Sequence, residues 1–140
     1  MLCTLYFVHF YSHISYGIVF WSLSSSMRNV FIIQKRPIRM LLRLGPSRSY
    51  RQGFKKLDIL RFPCLYTYAL KLFTVKNLNI YQTNSSVYGM NTRHKNKLHI
   101  PSVRLTSIQR SVYYSSLKLF NQLPQNIFTY CNSINTFKSL

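Results

Sequence analysis

Acid is what this chain lacks. Nineteen Lys and Arg face one acidic side chain, Asp58, and no Glu occurs in 140 residues, so the net charge is +18. The shortage excludes whole chemistries. Two-metal phosphoryl transfer needs several carboxylates to hold its cations. Paired-carboxylate glycoside hydrolysis fails on the same count. An acid-oriented Ser–His triad would have to recruit Asp58, and no nucleophile-elbow motif accompanies it. Cysteine is scarce as well: Cys3, Cys64 and Cys131 are widely spaced, odd in number and form no C-x-x-C pair. That pattern argues against a zinc site and against a disulfide framework, and the three read as reduced, buried thiols. No catalytic residue, metal or cofactor is implied.

What is present is positive charge and aromatic surface. Unbalanced positive charge repels itself and destabilises a compact state unless a polyanion neutralises it. RNA or DNA is the commonest such partner, because bound Lys and Arg release counterions from phosphate. An anionic membrane surface is the alternative. Eleven Tyr, ten Phe and Trp21 could stack on exposed bases. Aromatics at helical spacing more often fill a core, and most of these read that way.

Residues 1–27 carry no Lys, Arg, Asp or Glu. The apolar runs Leu5-Tyr6-Phe7-Val8 and Ile18-Val19-Phe20-Trp21 make residues 2–23 either a core helix or a membrane span with a basic cytoplasmic flank. His9, Ser12, His13, Ser15 and Gly17 interrupt the run and favour the core helix. Ser24-Ser25-Ser26 punctuates, with Ser26 as a helix cap. The next helix is expected to reach Leu44, stopped by Gly45-Pro46 and kinked at Pro37. At ~100° per residue, Arg28, Lys35, Arg36, Arg39 and Arg43 fall within an arc of about 100°. Val30, Phe31, Ile33, Ile38, Met40, Leu41 and Leu42 lie off that arc.

A basic turn holding Arg48 and Arg51 follows, then a short helix over 54–60 and a longer one from Pro63 to Asn77. Lys55 and Lys56 extend the basic surface, and Asp58 reads as a local cap or ion-pair partner. Residues 79–97 read as a polar basic loop containing the sequon Asn84-Ser85-Ser86 and the cluster Arg93, His94, Lys95 and Lys97. The stretch Leu98–Leu105 is expected to be extended, with Pro101 confining it to an edge. A last helix covers about Ser107 to Phe120, Asn121 and Pro124 form a terminating turn, and Ile134, Phe137 and Leu140 begin a truncated apolar pattern. His9 and His13, four apart, could share a metal, but three or four ligands are needed, so they read as packing histidines.

Three stretches, taken in order, resemble the C-terminal region of Jockey-type non-LTR retrotransposon reverse transcriptases. The first is Tyr11-Ser12-His13-Ile14-Ser15-Tyr16-Gly17-Ile18-Val19-Phe20-Trp21 with Ile33-Gln34-Lys35-Arg36-Pro37-Ile38-Arg39. The second is Phe54-Lys55-Lys56-Leu57-Asp58-Ile59-Leu60-Arg61-Phe62-Pro63-Cys64-Leu65-Tyr66. The third runs from Asn91-Thr92-Arg93-His94 through His99-Ile100-Pro101 to Leu119-Phe120-Asn121-Gln122-Leu123-Pro124-Gln125-Asn126-Ile127. Pro37 stands where the family usually carries alanine, and Ser22 where it carries glycine.

The resemblance implies the helical, thumb-containing segment that follows the catalytic palm and grips template and primer. It also implies that the palm, with its adjacent Asp pair, is missing here, and that the chain is a fragment without polymerase activity of its own. The expected fold is mostly α, a small irregular helical domain with at most one or two short strands. Its expected parts are a thumb-like region over 1–78, the loop 79–97 and a truncated helical unit over 98–140. The expected nucleic-acid contacts are Arg28, Lys35, Arg36, Arg39, Arg43, Arg48, Arg51, Lys55 and Lys56. An intracellular location, nucleus or cytoplasm, follows from that reading; a small membrane-anchored protein and a translated remnant without function are the alternatives.

Overall fold

Apolar side chains recurring at helical spacing turn most of this chain into short helices. The computed structural model describes residues 2–21, 27–45, 49–124 and 127. The helices are α1 (Leu2–Leu5), α2 (Ser12–Ser15), α3 (Ile18–Trp21), α4 (Met27–Leu41), α5 (Arg51–Lys56), α6 (Phe62–Lys76), α7 (Asn84–Tyr88), α8 (Thr106–Gln109) and α9 (Val112–Asn121). A π-helical segment, Tyr6–Tyr11, joins α1 to α2, and a 3-10 turn spans Leu78–Ile80. Among the described residues there is no sheet; the one β feature is an isolated antiparallel bridge between Thr83 and Leu98. The fold is therefore mostly α, as expected. The chain divides into two compact units, 1–67 and 68–140, and the division falls within α6 rather than at residue 78.

In the first unit, the apolar N-terminal stretch is helical from Leu2 to Ser15 and breaks at Tyr16-Gly17, where Gly17 takes φ +61°. A left-handed residue is easiest for glycine. The Trp21 indole N–H donates to the Tyr16 carbonyl at 2.9 Å, and its ring stacks on Phe62 with centroids 5.5 Å apart. No helix among the described residues is long and apolar enough to cross a membrane. The Ser24–Ser26 punctuation and the proposed Ser26 cap lie outside the described residues.

Helix α4 buries Gln34 and Ile38 and continues through Pro37 to Leu41. It ends three residues earlier than the Gly45-Pro46 signal suggests. Arg43 takes φ +49°, Leu44 N–H donates to the Arg39 carbonyl at 3.0 Å, and Arg43 N–H donates to that of Met40 at 3.2 Å. This bond pair is the left-handed helix terminus usually built on glycine. Helix α5 ends the same way: Asp58 takes φ +51°, Ile59 N–H reaches the Phe54 carbonyl at 3.0 Å, and Asp58 N–H reaches that of Lys55 at 3.3 Å. Phe54 and Ile59, brought together by the turn, share a core cluster with Tyr6 and Ile38. The expected helix over 54–60 is thus shifted to 51–56, because Asp58 reverses the chain. Gly53 lets α5 press on the end of α4, since a Cβ there would lie 3.0 Å from Ile38 Cγ2 and 2.7 Å from Cδ1 of Leu42, the residue after the helix.

Gln34 is fully buried and joins three segments. Its Oε1 accepts from Phe62 N–H at 2.7 Å, and its Nε2 donates to the Leu60 carbonyl at 2.9 Å and to Tyr6 Oη at 3.1 Å. Burial raises the Tyr6 phenol above its ordinary value of 10.0; the Gln34 bond works against that shift, and Tyr11 adds to it.

The second unit packs Val75, Tyr81, Leu98, Leu117, Phe120 and Leu123 into one cluster. Tyr81 stacks on Tyr113 at 5.2 Å, and its hydroxyl pairs with buried Ser116 at 2.8 Å. The single helix expected over 107–120 is two helices, because the Ser111 hydroxyl caps α9 by accepting from Tyr114 N–H at 3.2 Å. Residues 99–105 lie outside any helix, and Ile134, Phe137 and Leu140 lie outside the described residues.

Two substitutions test this packing. Gln34→Leu strands the buried Phe62 N–H, costing about 1–3 kcal/mol, and the part-buried Leu60 carbonyl, costing less, so urea denaturation should show a loss of about 2 kcal/mol. An unchanged midpoint would mean that Gln34 ties nothing together. Asp58→Gly should move the same midpoint upward, by about 1 kcal/mol, because glycine enters the left-handed region without the Cβ penalty; a lower midpoint would contradict the terminus described.

Candidate nucleic-acid interface

The basic stripe of the first unit divides in two. Lys35 and Arg39 are half-buried against aromatic rings. Lys35 Nζ lies 4.4 Å from the Phe31 ring centroid and 4.5 Å from that of Tyr50, and the Arg39 guanidinium lies 5.9 Å from Tyr50. Such contacts are worth about 0.5–1 kcal/mol each at exposed sites. Lys35 follows Phe31 by one helical turn, so that pairing was open to sequence reading. Tyr50 was not: it lies beyond the end of α4, and only the fold brings it to Lys35.

The other basic residues point outward. Arg28 and Arg36 are exposed on α4, and Arg51, Lys55 and Lys56 are exposed on α5. Arg51 and Lys55 are four apart and share a helix face. Arg43 is exposed too, but it has left the helix at the left-handed turn and is not part of the α4 stripe. Arg48 lies outside the described residues. Asp58, the one acid of the chain, is exposed and forms the left-handed end of α5 rather than a site.

In the second unit, the stretch expected to be a loop is built around a helix. Thr83 caps α7 by accepting from Ser86 N–H, and Gly89 at φ +63° ends it. The N–H groups of Asn84 and Ser85 donate to the carbonyls of Lys97 and Lys95 at 2.9 and 3.1 Å. The Asn84 side chain, the acceptor of the sequon, donates to the His94 carbonyl at 3.1 Å. Arg93, His94, Lys95 and Lys97 therefore sit on a turn tied to the start of α7 through the carbonyls of His94, Lys95 and Lys97.

That turn runs into a second amide clamp. Asn121 Oδ1 accepts from Leu98 N–H at 3.0 Å, and its Nδ2 donates to the Leu98 carbonyl at 2.8 Å. The side chain thus satisfies Leu98 as a neighbouring strand would. Asn121 is the last residue of α9 and does more than end a helix. His99 N–H donates to the Gln82 carbonyl at 2.8 Å. A cleft of about 500 Å³ opens over this arrangement, with Tyr88, His94, Lys97 and His99 among its walls.

Other candidates contribute little. His9 and His13 are exposed rather than packed. Among the described residues no group of three potential metal ligands forms. Cys3 and Cys64 are free and exposed, not buried, and Cys131 lies outside the described residues. Comparison with family models, with curated proteins and with solved structures found no match to this chain.

Asn121→Ala removes both bonds to Leu98. Hydrogen exchange at the Leu98 amide should then accelerate at least tenfold, the equivalent of one or two hydrogen bonds of about 1 kcal/mol each. Exchange at the wild-type rate would show that the clamp does not hold this segment.

Proposed function

We propose that this chain is a noncatalytic segment of a non-LTR retrotransposon reverse transcriptase, and that it grips RNA or DNA through the basic faces of α4 and α5. The observation that carries the reading is the exposed set Arg28, Arg36, Arg43, Arg51, Lys55 and Lys56 in a chain with one acid. Positive charge this poorly balanced calls for an external polyanion, and phosphate is the natural one. Lys35 and Arg39 rest on Tyr50 and stiffen the surface between the exposed cations.

The motif residues behind the family resemblance have physical roles that fit an ordered segment. Gly17 turns the chain, Trp21 stacks on Phe62, Gln34 ties three segments together, and Asn121 clamps Leu98. The missing partner is the polymerase palm. Its docking gives a reason for the apolar side chains the first unit leaves exposed, including Val8 (57 % exposed) and Met40 (77 %). An apolar recess of about 320 Å³ lies between the N-terminal helices and α4, bounded by Leu5, Phe10, Pro37 and Met40. The catalytic carboxylates belong to that missing domain, so this segment binds and does not polymerise.

The test is a salt series. If the six exposed cations bind single-stranded RNA or DNA, the logarithm of the affinity should fall with the logarithm of salt at a slope of about −4, from about 0.7 per phosphate contact. Replacing Arg36, Arg51 and Lys55 together by Gln should make the slope shallower by about 2. Binding that ignores salt, or no binding, would sink the reading.

A further inference from the structure

We propose that the cleft of the second unit is a subsite for one unpaired nucleotide, with the base stacked on Tyr88 and its phosphate held by Lys97 and the neighbouring histidines. The inference rests on the nucleic-acid reading above but uses a different surface, in a different unit. The cleft holds about 500 Å³, within the size range of small-ligand sites. Its floor is the Leu98–Asn121 amide pair, whose polar groups already satisfy each other at 3.0 and 2.8 Å. The floor therefore gives shape, and the walls supply the chemistry.

Those walls combine a cationic group with an open aromatic ring. Tyr88 is 58 % exposed, and its ring meets His99 at 75° with centroids 5.3 Å apart. That contact packs one side of the pair while Tyr88 stays exposed to a ligand. Lys97 is half-buried, His94 is exposed, and both line the same cleft. The backbone bonds from Asn84 and Ser85 to Lys97 and Lys95 set this loop in place before any ligand arrives. No acid occurs between residues 68 and 140, so the second unit offers the cleft no internal counterion. A phosphate and a flat heteroaromatic ring are what such walls recognise together, and a nucleotide is the ligand class that carries both. A base within a duplex is already stacked on both faces, so the cleft selects single-stranded RNA or DNA.

The experiment measures binding of the full chain to a labelled single-stranded oligonucleotide and to the matching duplex across a salt series. Tyr88→Ala should weaken single-strand binding by about five- to a hundredfold, the range of one base–aromatic stack, with no change in salt slope. Duplex binding should be untouched. Tyr88→Phe keeps the ring and should bind as the wild type does, which separates lost stacking from misfolding. Tyr88→Trp should show fluorescence quenched by the single strand beyond any quenching of Trp21 in the wild type. Quenching by free nucleoside monophosphate as well would identify an isolated nucleotide as sufficient; quenching by the strand alone would tie the subsite to a polymer, and either supports the proposal. Salt-dependent strand binding that Tyr88→Ala leaves unchanged, with no quenching, would overturn the cleft while leaving the α4–α5 interface standing. Loss of all binding in the wild type would remove both.

Discussion

A buried primary amide is the constraint on which the first unit depends. Gln34 has no exposed surface, yet its side chain can both donate and accept. It spends those capacities on Tyr6, Leu60 and Phe62, which come from the N-terminal run, the turn after α5 and the start of α6. An apolar residue would fill the volume but leave Phe62 N–H and the Leu60 carbonyl without partners. A carboxylate would face the Leu60 carbonyl without a proton to give. Once Gln34 is satisfied, α4 has a fixed rotation, and that rotation decides which of its cations point outward and which lie on Tyr50.

The second unit uses the same device at a smaller scale. Asn121 gives Leu98 the two bonds that a β-strand would supply, without a sheet. A chain of short helices leaves connecting segments whose backbone groups need partners, and side-chain amides meet that need cheaply in length. Two such clamps, one per unit, hold the segments that carry the basic residues. The helices themselves are too short to be stable alone, so the surface they present is a consequence of tertiary contacts.

Much of this was legible in the residues, and the failures have specific causes. The apolar spacing of α6 and the place of Pro63 in its first turn were readable. The N-terminal run was read as one helix over 2–23, and its break at Gly17 was not foreseen. Helix ends were not readable either: Arg43 and Asp58 occupy left-handed positions where sequence rules look for glycine, so α4 ran too long and α5 was placed too late. Helix α7 was taken for loop because Asn, Ser and Thr are turn residues, although here Thr83 is a cap and Gly89 a terminator. The basic stripe was found by angle alone. An angular projection sees one helix, so it could not show that Tyr50 would take up Lys35 and Arg39, or that Arg43 would leave the face.

The sequence by itself determined the charge, the helical class and the scarcity of acids, because composition and periodicity need no knowledge of distant neighbours. It also determined which polar residues were available, Gln34 and Asn121 among them. Only the tertiary structure decided what those amides bond to, which cations are exposed and where Tyr88, Lys97 and His99 converge on a cleft. Those outcomes depend on residues between 11 and 28 positions apart meeting in space, as Gln34 meets Phe62 and Tyr88 meets His99. No local rule carries that information, since a hydrogen bond or a ring contact is fixed by ångström-scale placement of whole helices rather than by the residues next in line.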